Sequence, residues 1–214
     1  TYTNEAGVRK LKELLYTIFR EINIKYIKDE IKFPFTINND FLKDLFVEIP
    51  KNLFTKIDKV ESIGKVNGLF ANSHGTGGIT VIEVHNTPSE EFLSLILTGN
   101  QGDVMKESMK CAKTLAWNLL TDDEKKNIIK SGLHIHCPMG ATPKDGPSAG
   151  CAIALAIYSR LTNSYVSPKI AMTGEINLDG NILAIGGLEA KLFGAYRAGV
   201  QTVLIPEENI DDLK

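Results

Sequence analysis

The sequence predicts an α/β or α+β fold in which helices pack on a mixed sheet, with a long helix ahead of them. Two observations support this fold class. From about residue 60 onward, segments with strand-like composition are interspersed with segments that have helical periodicity. In addition, one predicted helix is apolar on nearly every side, which is typical of a helix buried between other elements.

The first 59 residues are predicted to stand apart from that fold. Apolar residues recur every three or four positions from residue 8 to residue 22 and predict a helix that ends near Lys28. Thr3 or Asn4 is a suitable N-cap residue for this helix. The stretch that follows is polar and weakly patterned, with one short helix expected to begin at Asn39 or Asp40. We therefore predict a helix in 1–28, a linker in 29–59 and a domain in 60–214.

The predicted domain opens with a β-hairpin and then mixes helices with strands. The hairpin strands are GKVNGLFANS and ITVIEVH, joined by the turn-rich HGTGG, and a third strand follows in FLSLILTG. Helices are expected at about 103–120 and 122–130, before a strand at LHIHC. The remaining predicted elements are a buried helix from Pro147 to about Leu161, a strand at KIAMTGEI, a turn at Asp179-Gly180, a strand at ILAI, a helix after Gly187 and a strand at TVLIP.

Composition narrows the classes of function. With 43% hydrophobic and 23% charged residues the chain is ordinary for a globular protein, and its net charge of −2 provides no overall basic field for nucleic acid. Three cysteines, an odd number, favour reduced thiols over a disulfide framework. No apolar stretch approaches the length of a membrane span, and no export signal is visible. We therefore expect an intracellular protein, in a cytoplasm or a mitochondrial matrix, for which neither membrane nor nucleic-acid binding is implied.

The most informative segment is PKDGPSAG, residues 143–150, which leads into the predicted buried helix. Its prolines and glycines shape a loop, and Pro147 suits the first turn of a helix. Ser148 would then lie where free backbone N–H groups and the positive end of the helix dipole favour an anion. That anion is either a bound phosphate or the oxyanion of an attacked carbonyl group. A serine that only caps the helix fits the same segment equally well.

A nucleophilic serine needs a base, and the sequence offers histidines and lysines for this role. None of the histidines, at 74, 85, 134 and 136, belongs to a recognisable triad motif. His134 and His136 would lie on one face of a strand next to Cys137, but a pair without a second ligand cluster favours a structural role over a metal site. Lys191 lies in an apolar setting in which an ammonium loses its proton more readily. Local chemistry alone does not separate it from an ordinary surface lysine.

Three longer motifs carry a family resemblance. The segments PMGATPKDGPSAG, AMTGEINLDGNILAIGGLEAKLFGAYRAGV and LIPEEN, in this order and spacing, resemble the proteolytic domain of the Lon family of ATP-dependent proteases. The resemblance covers about 60–214 and implies that family's fold. It also implies a serine–lysine dyad of Ser148 and Lys191, which would hydrolyse peptide bonds of unfolded or damaged proteins.

The same resemblance implies roles for the residues around the dyad. Thr173 would hold the lysine by a hydrogen bond. The backbone N–H groups from Gly146 to Ser148, Pro147 excepted, would bind the oxyanion. Asp145 would either organise the loop or, by its charge, keep the lysine protonated and idle.

Two positions depart from the family pattern. Met139 and Ala190 stand where glutamates are usual, so that two charges near the dyad are replaced by apolar groups. The dyad itself is intact.

The start of the chain extends the resemblance to a second domain. The segment YTNEAGVRKLKELL resembles the end of the helical lid of the Lon ATPase module, with Arg9 at the nucleotide-sensing position. We therefore expect a longer protein in which an AAA+ ATPase domain, using ATP and Mg²⁺, delivers polypeptides to a homohexameric protease. The sequence contains no phosphate-binding loop motif, so no cofactor is expected for the chain itself. The family's domain is also expected to continue beyond residue 214 with a further strand and helix.

Two other interpretations stay open at this point. A small-molecule kinase also uses a Gly- and Ser-rich loop at a helix N-terminus to hold phosphate, although no metal-binding acids can be assigned for it. A non-enzymatic assembly module would retain the fold, but its decayed site would be expected to lack one member of the dyad. Phosphate-dependent stabilisation without labelling of Ser148 by a serine-directed acylating reagent would favour the kinase.

Overall fold

The computed structural model describes residues 7–48, 54–73, 75–128 and 130–213. The chain divides into two compact units, Thr1–Leu53 and Phe54–Lys214. Each unit has a hydrophobic core of its own, with one buried cluster in the first and two in the second. The boundaries predicted after residues 28 and 59 stay predictions.

The first unit contains two helices, α1 (Arg9–Ile27) and α2 (Asn39–Leu45), both close to their predicted positions. The apolar stripe of α1 packs on apolar side chains of the segment 31–46, which closes a small core. Asn38 caps α2, because its side-chain oxygen accepts a hydrogen bond from the Phe41 N–H at 2.8 Å. Val8 occupies the N-cap position of α1, and its side chain makes no capping hydrogen bond.

The caps expected for α1, Thr3 and Asn4, lie outside the described residues.

The second unit is built on a six-stranded mixed sheet, as predicted. Its strands and those of two small pairs are, in chain order, β1 (Ser62–Ile63), β2 (Lys65–Ala71), β3 (Gly77–Thr87), β4 (Leu95–Thr98), β5 (Gly132–His136), β6 (Tyr165–Val166), β7 (Ile170–Met172), β8 (Glu175–Ile176), β9 (Ile182–Leu183) and β10 (Thr202–Leu204). The main sheet has the order β10-β7-β2-β3-β5-β4, while β1 pairs with β6 and β8 with β9. The predicted hairpin is β2 and β3, antiparallel, with Lys65 opposite Glu83.

Helices cover both faces of this sheet. The covering helices are α3 (Asp103–Asn118), α5 (Gly150–Thr162) and α6 (Leu188–Ala198). The unit also contains α4 (Asp122–Asn127) and a short 3₁₀ helix at Glu207–Leu213. Val66 and Ile82 pack with α3 and α5, whereas Leu69 and Ile79 pack with α6. Since side chains alternate between the faces of a strand, the two clusters lie on opposite faces. As predicted, α5 is buried along most of its length.

Two predicted elements differ from the structure, and both differences lie at the site described below. The helix predicted from Pro147 begins at Gly150. The strand predicted at KIAMTGEI is two short strands, β7 and β8, interrupted at Thr173 and Gly174. The cause is shared: the Ser148 carbonyl accepts hydrogen bonds from the Gly174 N–H and the Thr173 hydroxyl. Because of these bonds, the Ser148 carbonyl is not available to the hydrogen-bond pattern of the helix, and the Gly174 N–H is not available to that of the strand.

Glycines set the distance between α6 and the sheet. A Cβ atom on Gly194 would overlap the backbone of Gly77 in β3, and one on Gly77 would overlap the Ala190 carbonyl. The helix therefore lies backbone against backbone on the hairpin, which is possible only without side chains at these positions. Lys191 follows Ala190 directly, so the same contact determines where this lysine lies.

No helix in the described parts of the chain combines the length and the apolar character needed to cross a bilayer.

Candidate active site

A cavity of about 660 Å³ in the second unit brings the predicted site residues together. Ser148 and Lys191 both line it, and so do Asp145, Gly146 and Pro147 on the loop that leads into α5. Its other walls are formed by β2, β3, the segment 138–144 and the segment 184–186. A concave site with apolar walls and a few convergent polar groups is the usual form of a substrate site.

Ser148 lies in a turn immediately before α5, and two hydrogen bonds hold its backbone carbonyl group. Its carbonyl oxygen accepts hydrogen bonds from the Gly174 N–H at 2.8 Å and from Thr173 Oγ1 at 3.1 Å. Among the described residues, the Ser148 Oγ atom has no hydrogen-bond partner of its own. A half-buried hydroxyl without a hydrogen-bond partner in the described parts of the chain thus lies at the N-terminus of α5.

Lys191 is buried in α6, with 3% of its surface exposed. Its Nζ atom donates a hydrogen bond to Thr173 Oγ1 at 3.2 Å, and none of the ion pairs between described residues includes it. Burial lowers the pKa of Lys191 below its ordinary value, and the nearby Cys151 thiol opposes this effect. The neutral amine, which is the form that accepts a proton, is therefore more accessible than in an exposed lysine.

Thr173 connects the lysine to the serine. Its hydroxyl accepts from Lys191 Nζ and donates to the Ser148 carbonyl, so that one buried side chain contacts both residues. Among hydrogen bonds of the described residues, none joins Lys191 Nζ directly to Ser148 Oγ. The contact between threonine and lysine has the form that the family resemblance implies.

Asp145 binds backbone N–H groups of its own loop and of α3. Its Oδ1 atom accepts hydrogen bonds from the Met105 N–H at 3.0 Å and the Gly146 N–H at 2.9 Å. These bonds lower the pKa of the Asp145 carboxyl group. Since α3 begins after Gly102, which has no side chain to cap it, Asp145 serves as the cap, and a Cβ on Gly102 would overlap its carboxylate. The carboxylate does not contribute to the pKa of Lys191, so the contacts support the organising role.

The N–H groups expected to bind an oxyanion differ in availability. The Gly146 N–H is used by Asp145, which is contrary to its expected role. Gly146 instead supplies a backbone φ of +111°, a conformation that side chains disfavour. The N–H groups of Ser148 and Ala149 have no partner among the described residues, and both precede the first turn of α5. These two are the available donors.

The histidine pair on β5 is held by a threonine. Thr98 Oγ1 contacts His134 Nε2 at 2.9 Å and His136 Nδ1 at 2.7 Å, which supports the structural role. Burial raises the pKa of the neighbouring Cys137 thiol to about 11, so its thiolate form is disfavoured. No group of three or more potential metal ligands occurs within the described residues. His74 lies outside them.

The two departures from the family pattern have different surroundings. Met139 lies on the cavity rim with a φ of +67°, and its sulfur accepts a hydrogen bond from Thr55 Oγ1 at 3.4 Å. Ala190 packs through its carbonyl on Gly77. Neither residue brings a charge to the cavity.

Two residues of the site were missed by the sequence reasoning. Asn209 is buried, and its side-chain amide makes two hydrogen bonds to the backbone of Ile185. Its Oδ1 atom accepts from the Ile185 N–H and its Nδ2 atom donates to the Ile185 carbonyl, both at 2.9 Å. It thereby supports the cavity wall at 184–186. Lys144 makes contacts that are described below. In the sequence, Asn209 belongs to the LIPEEN motif and Lys144 to PKDG. Membership of these motifs was the available signal, but both are polar residues in polar segments and do not stand out.

Comparisons with known proteins identify the family. The family model described as Lon protease (S16) C-terminal proteolytic domain matches residues 36–214. The chain is 41% identical to the Lon protease of Methanosphaera stadtmanae over 213 residues, 99% of the chain and 25% of that protein. It is 42% identical to the Lon protease of Haemophilus influenzae over 219 residues, 100% of the chain and 26% of that protein. The chain thus spans about a quarter of the length of these relatives, and the match sets aside the kinase interpretation. This chain belongs to the Lon protease family and carries the C-terminal proteolytic domain of that family.

Proposed function

We propose that this domain is a serine endopeptidase in which Ser148 is the nucleophile and Lys191 is the general base. The observation that carries the proposal is the burial of Lys191, without a carboxylate partner, in the wall of the cavity that Ser148 lines. An ammonium in such a place is poorly solvated, whereas a neutral amine is a competent base. The free Ser148 hydroxyl at the start of α5 supports the same assignment.

The proposed reaction is acyl transfer to water. Neutral Lys191 accepts the Ser148 hydroxyl proton as the oxygen attacks the peptide carbonyl carbon. The oxyanion that forms accepts hydrogen bonds from the Ser148 and Ala149 N–H groups and is favoured by the α5 dipole. Lys191 then returns the proton to the leaving amine, which departs and leaves an acyl-enzyme. Water attacks the ester, Lys191 takes its proton and passes it to Ser148, and the acid product is released.

The longer relatives suggest the setting of this reaction. We propose that the complete protein carries an AAA+ ATPase domain that binds ATP and Mg²⁺, assembles as a homohexamer and delivers unfolded or damaged polypeptides to the cavity. We further propose that it works inside the cell, in a cytoplasm or a mitochondrial matrix. The apolar walls of the cavity suit extended polypeptide better than a highly charged ligand.

The test compares the wild type with Ser148→Ala, Lys191→Met and Lys191→Arg in the complete protein. Cleavage of a fluorogenic peptide and of casein should fall by about 10³-fold or more in all three, as for other nucleophile and base deletions. Lys191→Arg retains a charge that cannot be removed, so it lacks a base despite its similar size. A Lys169→Arg variant, changed at an exposed lysine, serves as the control.

The pH profile supplies an independent readout. Only the neutral amine accepts a proton, so wild-type activity should rise with pH through a pKa that lies below the ordinary lysine value of 10.5. A fluorophosphonate should label Ser148 with the same pH dependence. Undiminished cleavage by either Ser148→Ala or Lys191→Arg would refute the dyad, and a wild type that neither cleaves nor labels would favour the non-enzymatic module.

A further inference from the structure

The segment 138–147, which leads to Ser148, contains almost no regular secondary structure. Its single β-type contact is an isolated parallel bridge between Gln101 and Lys144. The nucleophile nevertheless needs a fixed position, because a displacement of about 1 Å costs a catalytic group on the order of 100-fold in rate. Something other than a helix or strand ladder therefore has to hold this segment.

Lys144 makes the contacts that hold it. Its Nζ atom donates hydrogen bonds to the carbonyls of Gly99 at 3.0 Å, Met139 at 2.8 Å and Thr142 at 3.1 Å. An ammonium has three N–H donors, so all of them are used. One side chain thus joins the end of β4 to two points of the loop.

The backbone of Lys144 reinforces the same connection. Its N–H donates to the Asn100 carbonyl at 3.0 Å, and its own carbonyl accepts from the Gly102 N–H at 2.8 Å. We call these five hydrogen bonds of Lys144 the lysine clamp. The adjacent Asp145 caps α3 through Met105, so the clamp and the cap together fix the loop against the segment 99–105.

The charges around the clamp are few. Cys137 faces Lys144 from the end of β5, and its pKa of about 11 keeps it a neutral thiol near pH 7. The Asp145 carboxylate is adjacent but is turned to the N–H groups of Met105 and Gly146. None of the ion pairs between described residues includes Lys144. Carbonyl oxygens, rather than a carboxylate, solvate this ammonium.

We infer that Lys144 is a positioning residue that holds the Ser148 loop only while its side chain is charged. This inference rests on the proposed peptidase function. A neutral amine has two N–H donors instead of three and donates more weakly, so deprotonation leaves at least one of the three carbonyls unpaired. The enzyme would then need Lys191 neutral and Lys144 charged at the same time.

The expected pH dependence of activity therefore has two limbs. Activity rises as Lys191 loses its proton and falls as Lys144 loses its proton. Burial lowers the pKa of Lys144 from its ordinary value of 10.5, so the falling limb is expected below the pH at which an exposed lysine titrates. A role that depended only on the shape of the lysine side chain would produce no such limb.

The test compares Lys144→Arg, Lys144→Met and the control Lys110→Arg, an exposed lysine of α3, in the complete protein. We measure kcat and KM for a fluorogenic peptide from about pH 7 to pH 11, the range that spans ordinary amine titration. Lys144→Met should lower kcat by about 10- to 100-fold and abolish the falling limb. Lys144→Arg, whose guanidinium stays charged throughout this range, should retain most activity at the optimum and shift the falling limb upward by about one pH unit or more. Lys110→Arg should leave both limbs in place.

A second measurement on the wild type is independent of activity and of how the variants fold. Hydrogen exchange should show the protection of the Gly102 and Lys144 amides falling as pH rises through the falling limb, after correction for intrinsic exchange. Three results would each overturn the inference. The first is unchanged protection of these amides across the falling limb. The others are a Lys144→Met enzyme as active as the wild type and a Lys144→Arg enzyme whose falling limb does not move. If the wild type neither cleaves peptide nor reacts with fluorophosphonate, the proposed function fails, and the exchange measurement still decides whether the clamp titrates.

Discussion

At the scale of single residues, Thr173 is the side chain that connects the two members of the proposed dyad. It is 1% exposed and has one hydroxyl, which accepts from Lys191 and donates to the Ser148 carbonyl. A buried amine without a partner costs roughly 1–3 kcal/mol in desolvation. The hydroxyl therefore both satisfies the lysine and holds it toward the serine.

Thr173→Val removes this hydroxyl while keeping the shape of the side chain. Lys191 Nζ then loses its partner and is free to turn away, so kcat should fall by about 10- to 100-fold with little change in KM. Thr173→Ser keeps the hydroxyl and should recover most of the rate. Steady-state kinetics together with the rate of fluorophosphonate labelling give the measurement. If the valine variant had wild-type kcat, or if serine did not rescue it, the bridging role would be wrong.

At the scale of elements, α6 positions Lys191, the proposed base, through its contact with β3. Gly77 and Gly194 allow the two backbones to touch, and Lys191 lies one turn before Gly194 on the same helix face. Main-chain atoms, unlike side chains, cannot move aside without displacing the whole element. A side chain added at Gly77 or Gly194 would therefore displace Lys191.

Gly194→Ala should displace α6 from the hairpin. Overpacking of this kind costs about 1–3 kcal/mol in the free energy of unfolding, and the lysine moves with its helix. We expect a lower midpoint of thermal unfolding together with a loss of kcat. Gly140→Ala is the matched control for stability, because a Cβ there meets nothing within 4 Å. Equal midpoints for the two variants would show that the close contact does not determine the position of α6.

Most elements could be predicted from the sequence because their periodicity is strong. The β2–β3 hairpin and helices α1, α3, α5 and α6 carry apolar patterns or turn residues that act locally. The start of α5 and the break between β7 and β8 could not be predicted in this way. They arise from hydrogen bonds between Ser148 and residues 173 and 174, which are distant in the sequence.

The site shows the same division between local and distant causes. Ser148 is suggested by helix-terminus chemistry and by its motif, whereas Lys191 depended on the family resemblance, since its burial against β3 has no local signature. Asn209 was missed because it bonds to the backbone of Ile185, far away in the sequence, and Lys144 because one of its bonds reaches the distant Gly99 carbonyl. A polar side chain that pairs with distant carbonyls looks like any surface residue in a sequence.

At the scale of the whole molecule, the site belongs to one of the two compact units. Both core clusters of the second unit, and each residue proposed for the site, come after residue 54. The core of the first unit is formed by residues 14–46. A unit with a hydrophobic core of its own is expected to fold without its neighbour.

The fragment 54–214 should therefore fold and keep a reactive serine. Its unfolding midpoint should lie within about 4 °C of the matching transition in the whole chain, the shift that about 1 kcal/mol produces in a protein of this size. Fluorophosphonate should label Ser148 at a similar rate, because Lys191, Thr173 and the lysine clamp are all retained. The same fragment with Ser148→Ala controls for labelling elsewhere. A fragment that unfolds, or that folds but does not label, would mean that residues 1–53 complete the site.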